Sequence, residues 1–141
     1  MTRQVDSKTA RIQALEFFGR ADTTALEHLT SAADVVDAKA GYALITEGHM
    51  YHELYIVESG KAEVTIGDEV VAQIGPGEMI GELGLFDRGD ATATVRAVDA
   101  MTLLVIPYNR LAQIMDENPM LVREMAGELA ARLRATDARL N

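Results

Sequence analysis

This chain of 141 residues predicts a mainly β fold, an antiparallel jelly roll or β-roll with helices before and after it. Three observations carry that expectation. Between Ala33 and Ile106 apolar residues recur with a period of two, in short runs. Glycine, proline and aspartate punctuate those runs at close intervals, as turns between antiparallel strands require. On both flanks the period lengthens to that of an amphipathic helix. Many short strands of even spacing favour a roll of roughly eight strands over a layered α/β sheet.

The N-terminal segment, 1–32, reads as helical. Residues 8–19 place Ile12, Leu15 and Phe18 on one helical face. Asp22-Thr23-Thr24 then supplies an N-cap for a second short helix carrying Leu26 and Leu29. The β-roll, 33–107, is expected to contain runs at 33–38, 42–46, 53–58, 61–66, 70–74, 92–98 and 101–106. Ala62, Val64 and Ile66 alternate with Glu63 and Thr65, the pattern of a half-buried strand. Gly67-Asp68 sits where a two-residue hairpin turn belongs. Pro107 reopens the helical period and begins the C-terminal segment, 108–141. One short helix carries Leu111, Ile114 and Met115 and closes at Asn118-Pro119. A longer one starts near Met120, with Leu121, Met125, Leu129, Leu133 and Leu140 as a stripe backed by Ala126 and Ala130.

Composition narrows the functional classes. Hydrophobic residues are 48% and charged residues 25%, an ordinary globular balance that allows a substantial core. With 13 basic and 22 acidic residues the net charge is -9, a field that repels a phosphate backbone and argues against direct nucleic-acid binding. There is no cysteine, hence no disulfide framework and no thiolate metal site. The sequence contains no apolar run near the about 18 residues of a membrane span, and its first residues lack an apolar signal region. No membrane association and a cytoplasmic location are the expectation.

The most informative stretch is Gly75 to Ala97, GPGEMIGELGLFDRGDATATVRA. A Gly-Pro-Gly turn leads to Gly81-Glu82-Leu83-Gly84-Leu85, then a polar loop, then a β-type run. Glycines at 81 and 84 permit close backbone approach, and a helix opening at Gly81 would offer unpaired N–H groups to an anion. Upstream stand Glu47-Gly48 and Leu54-Tyr55-Ile56-Val57-Glu58-Ser59-Gly60, and downstream Ala93-Thr94-Val95-Arg96-Ala97.

Together these motifs resemble the cyclic-nucleotide-binding domain shared by catabolite-activator-type transcription factors, cyclic-nucleotide-dependent kinases and gated channels. The resemblance covers about 15–133 and identifies 75–97 as the phosphate-binding cassette. It implies that N–H groups of Gly81, Glu82, Leu83 and Gly84 hold a cyclic phosphate, that Glu82 accepts the ribose 2′-hydroxyl, and that the C-terminal helices act as a lid and dimerisation element. One residue departs from the pattern. The family's phosphate-pairing arginine falls two residues before the Ala of Ala-Thr-Val, and here that position is Ala91, beside Asp90. A charge-assisted hydrogen bond is worth about 1.5–3 kcal/mol, so affinity falls about tenfold to a hundredfold without it. Arg88 lies three residues earlier and is the candidate substitute cation. Thr92 stands where guanine-selective members often carry threonine, a pointer to cGMP beside cAMP.

Other candidates carry less. His49-x-x-His52 lacks the helical spacing and acidic base of a zinc protease, so no metal site is expected. Gly75-x-Gly77 lacks the third glycine of a dinucleotide fingerprint, and Arg88-Gly89-Asp90 is a chance tripeptide in this context. No Ser/His/Asp grouping has a local motif, so no catalytic residue is expected; Met79, Met101, Met115 and Met125 read as core fillers. The sequence therefore reads as a stand-alone regulatory sensor domain, not an enzyme, with weak or altered binding of cAMP, cGMP or a similar small anion and no required cofactor. The alternative is a degenerate fold acting as a ligand-independent interaction module. In either case a protein partner or a homodimer through the C-terminal helix carries the output.

Overall fold

A computed structural model describes residues 2–15, 17–87 and 89–140; for 2–7, 83 and 136–140 the backbone alone is described. It divides into two compact units, Ala32–Arg110, and Met1–Ser31 with Leu111–Asn141.

Among the described residues the first unit holds eight strands: β1 (Asp34–Ala38), β2 (Ala43–Ile45), β3 (Glu53–Ser59), β4 (Ala62–Ile66), β5 (Glu69–Ile74), β6 (Met79–Ile80), β7 (Thr94–Ala97) and β8 (Met101–Pro107). They form two four-stranded antiparallel sheets, ordered β1-β8-β3-β6 and β2-β7-β4-β5. This is the expected β-roll. Its core draws on both sheets: Leu44, Ile45, Val95 and Ala97 from one, Val57, Ile80, Met101, Leu103 and Val105 from the other. β8 is central in its sheet and apolar on both faces, so Leu103, Leu104, Val105 and Ile106 are all buried. At about 25 cal/mol per Å² of apolar surface, such fully buried aliphatic side chains contribute roughly 1.5–3 kcal/mol each.

Turn chemistry explains the connections. The β4–β5 hairpin closes through Gly67-Asp68, with Ile66 opposite Glu69 and Gly67 at φ +60°, as a two-residue turn with glycine first demands. Pro76 and Gly77 occupy the centre of a tight turn whose Gly77 has φ +85°, and the Glu78 carboxylate accepts a hydrogen bond from Gly75 N at 2.8 Å. Three details differ from the sequence expectation. Ile66 is 50% exposed at the end of β4, beside the hairpin turn, and the pairing shifts register at Val64/Thr65, leaving Val71 as the extra residue of β5. The run at 92–98 is a strand only over Thr94–Ala97. The two-residue strand β6 was not expected at all; it exists because Met79 and Ile80 pair with Ile56 and Tyr55.

The second unit is helical. α1 is Thr2–Gln13 and α2 is Thr23–Ala32. The first helix ends earlier than the periodicity of 8–19 suggests. After it the chain turns tightly, with Leu15 N donating to Ile12 O and Phe18 N to Leu15 O, and these turns bury Leu15, Phe17 and Phe18 in succession. Asp22 caps α2 as expected, its Oδ1 accepting from Ala25 N at 2.8 Å. The last helices are α3 (Tyr108–Glu117) and α4 (Pro119–Leu140). Leu111, Ile114, Leu121 and Met125 are buried, whereas Leu133 is 65% exposed and Ala126 and Ala130 also face solvent. The Arg132 guanidinium lies 5.7 Å from the centre of the Phe17 ring. The side chain of Leu140 is outside the described residues. No helix among them is long and apolar enough to cross a membrane.

Candidate functional site

The cassette hangs from the end of the β3–β6 pair. β6 is held by Tyr55 opposite Ile80, and Gly81 then turns the chain away at φ +88°, a left-handed conformation that glycine reaches without strain. A Cβ at position 81 would stand 2.9 Å from the carbonyl oxygen of Glu53, so the turn is packed directly on β3. The expectation of a helix over Gly81 to Leu85 is met only in part: the helical segment is one 3-10 turn, Leu83–Leu85, following bends at Gly81 and Glu82. So short a turn has no appreciable macrodipole, and any attraction for an anion comes from individual N–H groups instead.

Glu82 is half-buried beside this turn. Ala91, at the far end of the loop, is 7% exposed and belongs to the apolar cluster inside the roll. Its backbone is tied to the loop before β3: Ala91 N donates to His49 O at 2.9 Å, and Gly48 N donates to Ala91 O at 2.8 Å. Position 91 therefore sits in a defined place, carrying a methyl group and no charge. Thr92 is exposed and precedes β7, so it stands outside the strand in which the sequence placed it. Gly84 is buried. The side chain of Leu83, and Arg88 with its candidate cation, lie outside the described residues.

The structure adds two residues that the sequence reading passed over. Tyr51 and Tyr108 flank the cassette with ring centres 6.1 Å apart and planes inclined at 59°. The Tyr108 hydroxyl donates to the Gly81 carbonyl, and Tyr108 N donates to His52 O at 2.8 Å. The Tyr51 ring covers Gly84: a Cβ there would run into that ring and lie 2.6 Å from the Tyr108 hydroxyl. Tyr51 also packs against the apolar cluster of the roll, to which Ala91 belongs. A third tyrosine, Tyr55, donates to Leu44 O at 3.4 Å and to Glu53 Oε1 at 3.2 Å. The sole local hint in the sequence was the glycine at 84, which left room for something.

The site is electronegative. Burial, then the charges of Glu82 and Asp87, raise the Tyr51 pKa above its ordinary 10.0. Burial leads the upward shift at Tyr108 too, followed by Tyr51, Glu82 and Tyr55; at Tyr55, burial and then Glu53 act in the same direction. All three phenols bind their protons more tightly folded than unfolded. Their contribution to stability is complete below the ordinary value of 10.0 and is lost as pH rises beyond it. A titration followed by phenolate absorbance should show Tyr51, Tyr55 and Tyr108 ionising above pH 10.0, together with loss of the folded circular-dichroism signal. Independent ionisation of all three near the ordinary value, with the fold intact, would contradict the burial assigned to them.

Among the described residues no group of three or more His, Cys, Asp or Glu side chains is arranged to hold a metal ion. What remains is a turn of backbone N–H groups, a carboxylate at Glu82, a loop returning to the roll at Ala91, and a β-roll beneath. The family sequence model described as "Cyclic nucleotide-binding domain" matches residues 35–118 of this chain. The chain belongs to that family. It is 32% identical over 103 residues to the cAMP-activated global transcriptional regulator CRP of Salmonella typhimurium, covering 69% of this chain and 49% of the regulator. Thus the chain spans about half the length of the curated relatives it matches. Among solved structures, the N-terminal domain of a transcriptional regulator from Streptomyces coelicolor superimposes with a TM-score of 0.76 at 29% identity, covering 90% of this chain and 94% of that one. The regulatory domain of Toxoplasma gondii PKA, solved with cAMP, does so with a TM-score of 0.76 at 28% identity, covering 81% of this chain and 45% of the other. In this cyclic nucleotide-binding domain the β-roll of the family is therefore intact.

Proposed function

We propose that this chain is a regulatory sensor domain, not an enzyme, that takes a cyclic nucleotide weakly between Gly81 and Thr92. The observation that carries the reading is the contrast at the two ends of the cassette. Gly81, Glu82 and Gly84 keep the tight backbone and the carboxylate that a ribose hydroxyl requires, while Ala91 offers a buried methyl group where a phosphate needs a cation. The relatives supply the ligand class: one is named as cAMP-activated and another was solved with cAMP. Position 91 brings no guanidinium to a cyclic phosphate, and Glu82 and Asp87 add negative charge beside Tyr51. Losing about 1.5–3 kcal/mol of charge-assisted bonding puts the dissociation constant at tens of micromolar or weaker. Thr92, exposed at the entrance to β7, supports cGMP as a second ligand to be tested beside cAMP.

Calorimetric titration of the chain with cAMP and cGMP tests this. Modest heats with a dissociation constant above about 10 μM are expected. Nanomolar binding would overturn the weak-affinity reading, and Arg88→Ala would then reveal whether Arg88 supplies the missing charge. A second reading has its own observation: Leu133 stands 65% exposed on α4, and the net charge of -9 disfavours nucleic acid as a partner. A homodimer or protein partner through this helix would let the domain act as an interaction module. Absence of heat with either nucleotide, with a dimer in sedimentation equilibrium, would favour that second reading.

A further inference from the structure

We propose that Tyr51 and Tyr108 are positioning residues for the cassette, setting the backbone of 81–85 by protein side chains instead of leaving it to a bound ligand. Each of the two makes a different contact. Tyr108 is anchored through its own N–H to His52 O, and its hydroxyl donates to the Gly81 carbonyl at the point where the chain leaves β6. That bond holds the one residue of the turn in the left-handed region, at φ +88°. Tyr51 contributes ring surface. It fills the volume that a Cβ at 84 would need, so Gly84 and Tyr51 are a matched pair: the ring can lie there only over a glycine. The two rings touch one another at 6.1 Å between centres, closing the brace around the turn. Burial and the charge of Glu82 keep both phenols protonated, so the Tyr108 hydroxyl remains a donor throughout the physiological range.

A cassette held in this way has less conformational freedom to lose when something binds, which favours affinity by preorganisation. For the nucleotide this consequence rests on the sensor reading above. The brace itself does not, and it is tested without ligand. Hydrogen–deuterium exchange of the whole chain, read on peptides covering 79–87, should show protection that Tyr51→Phe retains, because the ring remains. Tyr108→Phe removes the donor, and Tyr51→Ala removes the ring; each should accelerate exchange there at least tenfold, with β3 and β8 peptides unaffected. Gly84→Ala should lower the melting temperature in the parent chain and lower it less in the Tyr51→Ala background, where the Tyr108 hydroxyl at 2.6 Å is the obstacle that remains. Unchanged exchange in Tyr108→Phe and Tyr51→Ala, or an equal Gly84→Ala penalty in both backgrounds, would overturn the proposal. Calorimetry with cAMP on the same proteins separates the two ideas. If the parent chain binds, Tyr108→Phe should weaken binding several-fold. If the parent chain does not bind, the sensor reading fails while the exchange result still decides the brace.

Discussion

Ala91→Arg is expected to raise the affinity for cyclic nucleotide at least tenfold. Position 91 is held at both backbone groups, by His49 and Gly48, so a new side chain there starts from a defined place at the mouth of the cassette. The methyl group now present packs into the apolar interior with 7% exposure. An arginine stem is itself apolar and can run along such a wall while its guanidinium reaches polar surroundings. Once there it would pair with a phosphate held by the 81–84 backbone, gaining about 1.5–3 kcal/mol, which is tenfold or more. Glu82→Ala in the same chain should cancel most of the gain by leaving the ribose hydroxyl without its acceptor. Calorimetry gives the affinities, and a melting curve for each protein guards against reading a folding defect as a binding defect. If Ala91→Arg folds and binds no better, the cassette is not shaped for a cyclic phosphate and the interaction-module reading prevails.

Gly60→Ala should be the most destabilising single methyl addition in the β-roll. Gly60 joins β3 to β4 with φ +82°, a conformation that costs an L-residue about 1–2 kcal/mol. The added Cβ would also meet the carbonyl oxygen of Ala100 and approach Met101 Cα to 2.9 Å. Both are backbone atoms, and Met101 begins the central strand β8, so neither can yield cheaply. Overpacking of this kind adds about 1–3 kcal/mol, for a total of about 2–5 kcal/mol and a fall in melting temperature on the order of 10 °C. Gly48→Ala provides the contrast. Its φ is +83°, yet nothing lies within 4 Å of the added carbon, so backbone strain acts alone and the loss should be about 1–2 kcal/mol. Equal melting temperatures for the two variants would show that the contact at Gly60 is relieved by a shift of the β8 backbone.

The readable part of this fold was the part governed by neighbours in sequence. Gly67-Asp68 and Pro76-Gly77 act through their own dihedral preferences, and Asp22 caps α2 through an amide three residues away, so each could be placed without knowing the tertiary structure. The apolar run Leu103 to Ile106 in β8 likewise fits its central place in its sheet. The cassette was legible for the same reason: its glycines, the Glu82 carboxylate and Ala91 lie within one stretch of chain, inside the residues that the family model matches.

What the sequence alone determined was therefore the β-roll, its turns, its flanking helices and the absence of a cation at position 91. The tertiary structure decided the rest, because it depended on residues distant in the chain. β6 is a strand only because β3 lies beside it, and past Gln13 the chain leaves the helix in tight turns along which Phe17 and Phe18 are both buried. The register shift between β4 and β5, with Val71 as the extra residue, likewise appears only in the paired strands. Above all, the brace joins Tyr108 to Gly81 across 27 residues of chain, and Tyr51 to Gly84 across a still longer stretch. Neither tyrosine belongs to a motif, and no local propensity ties an aromatic ring to a distant glycine; that contact arises only when the strands have already brought the two together.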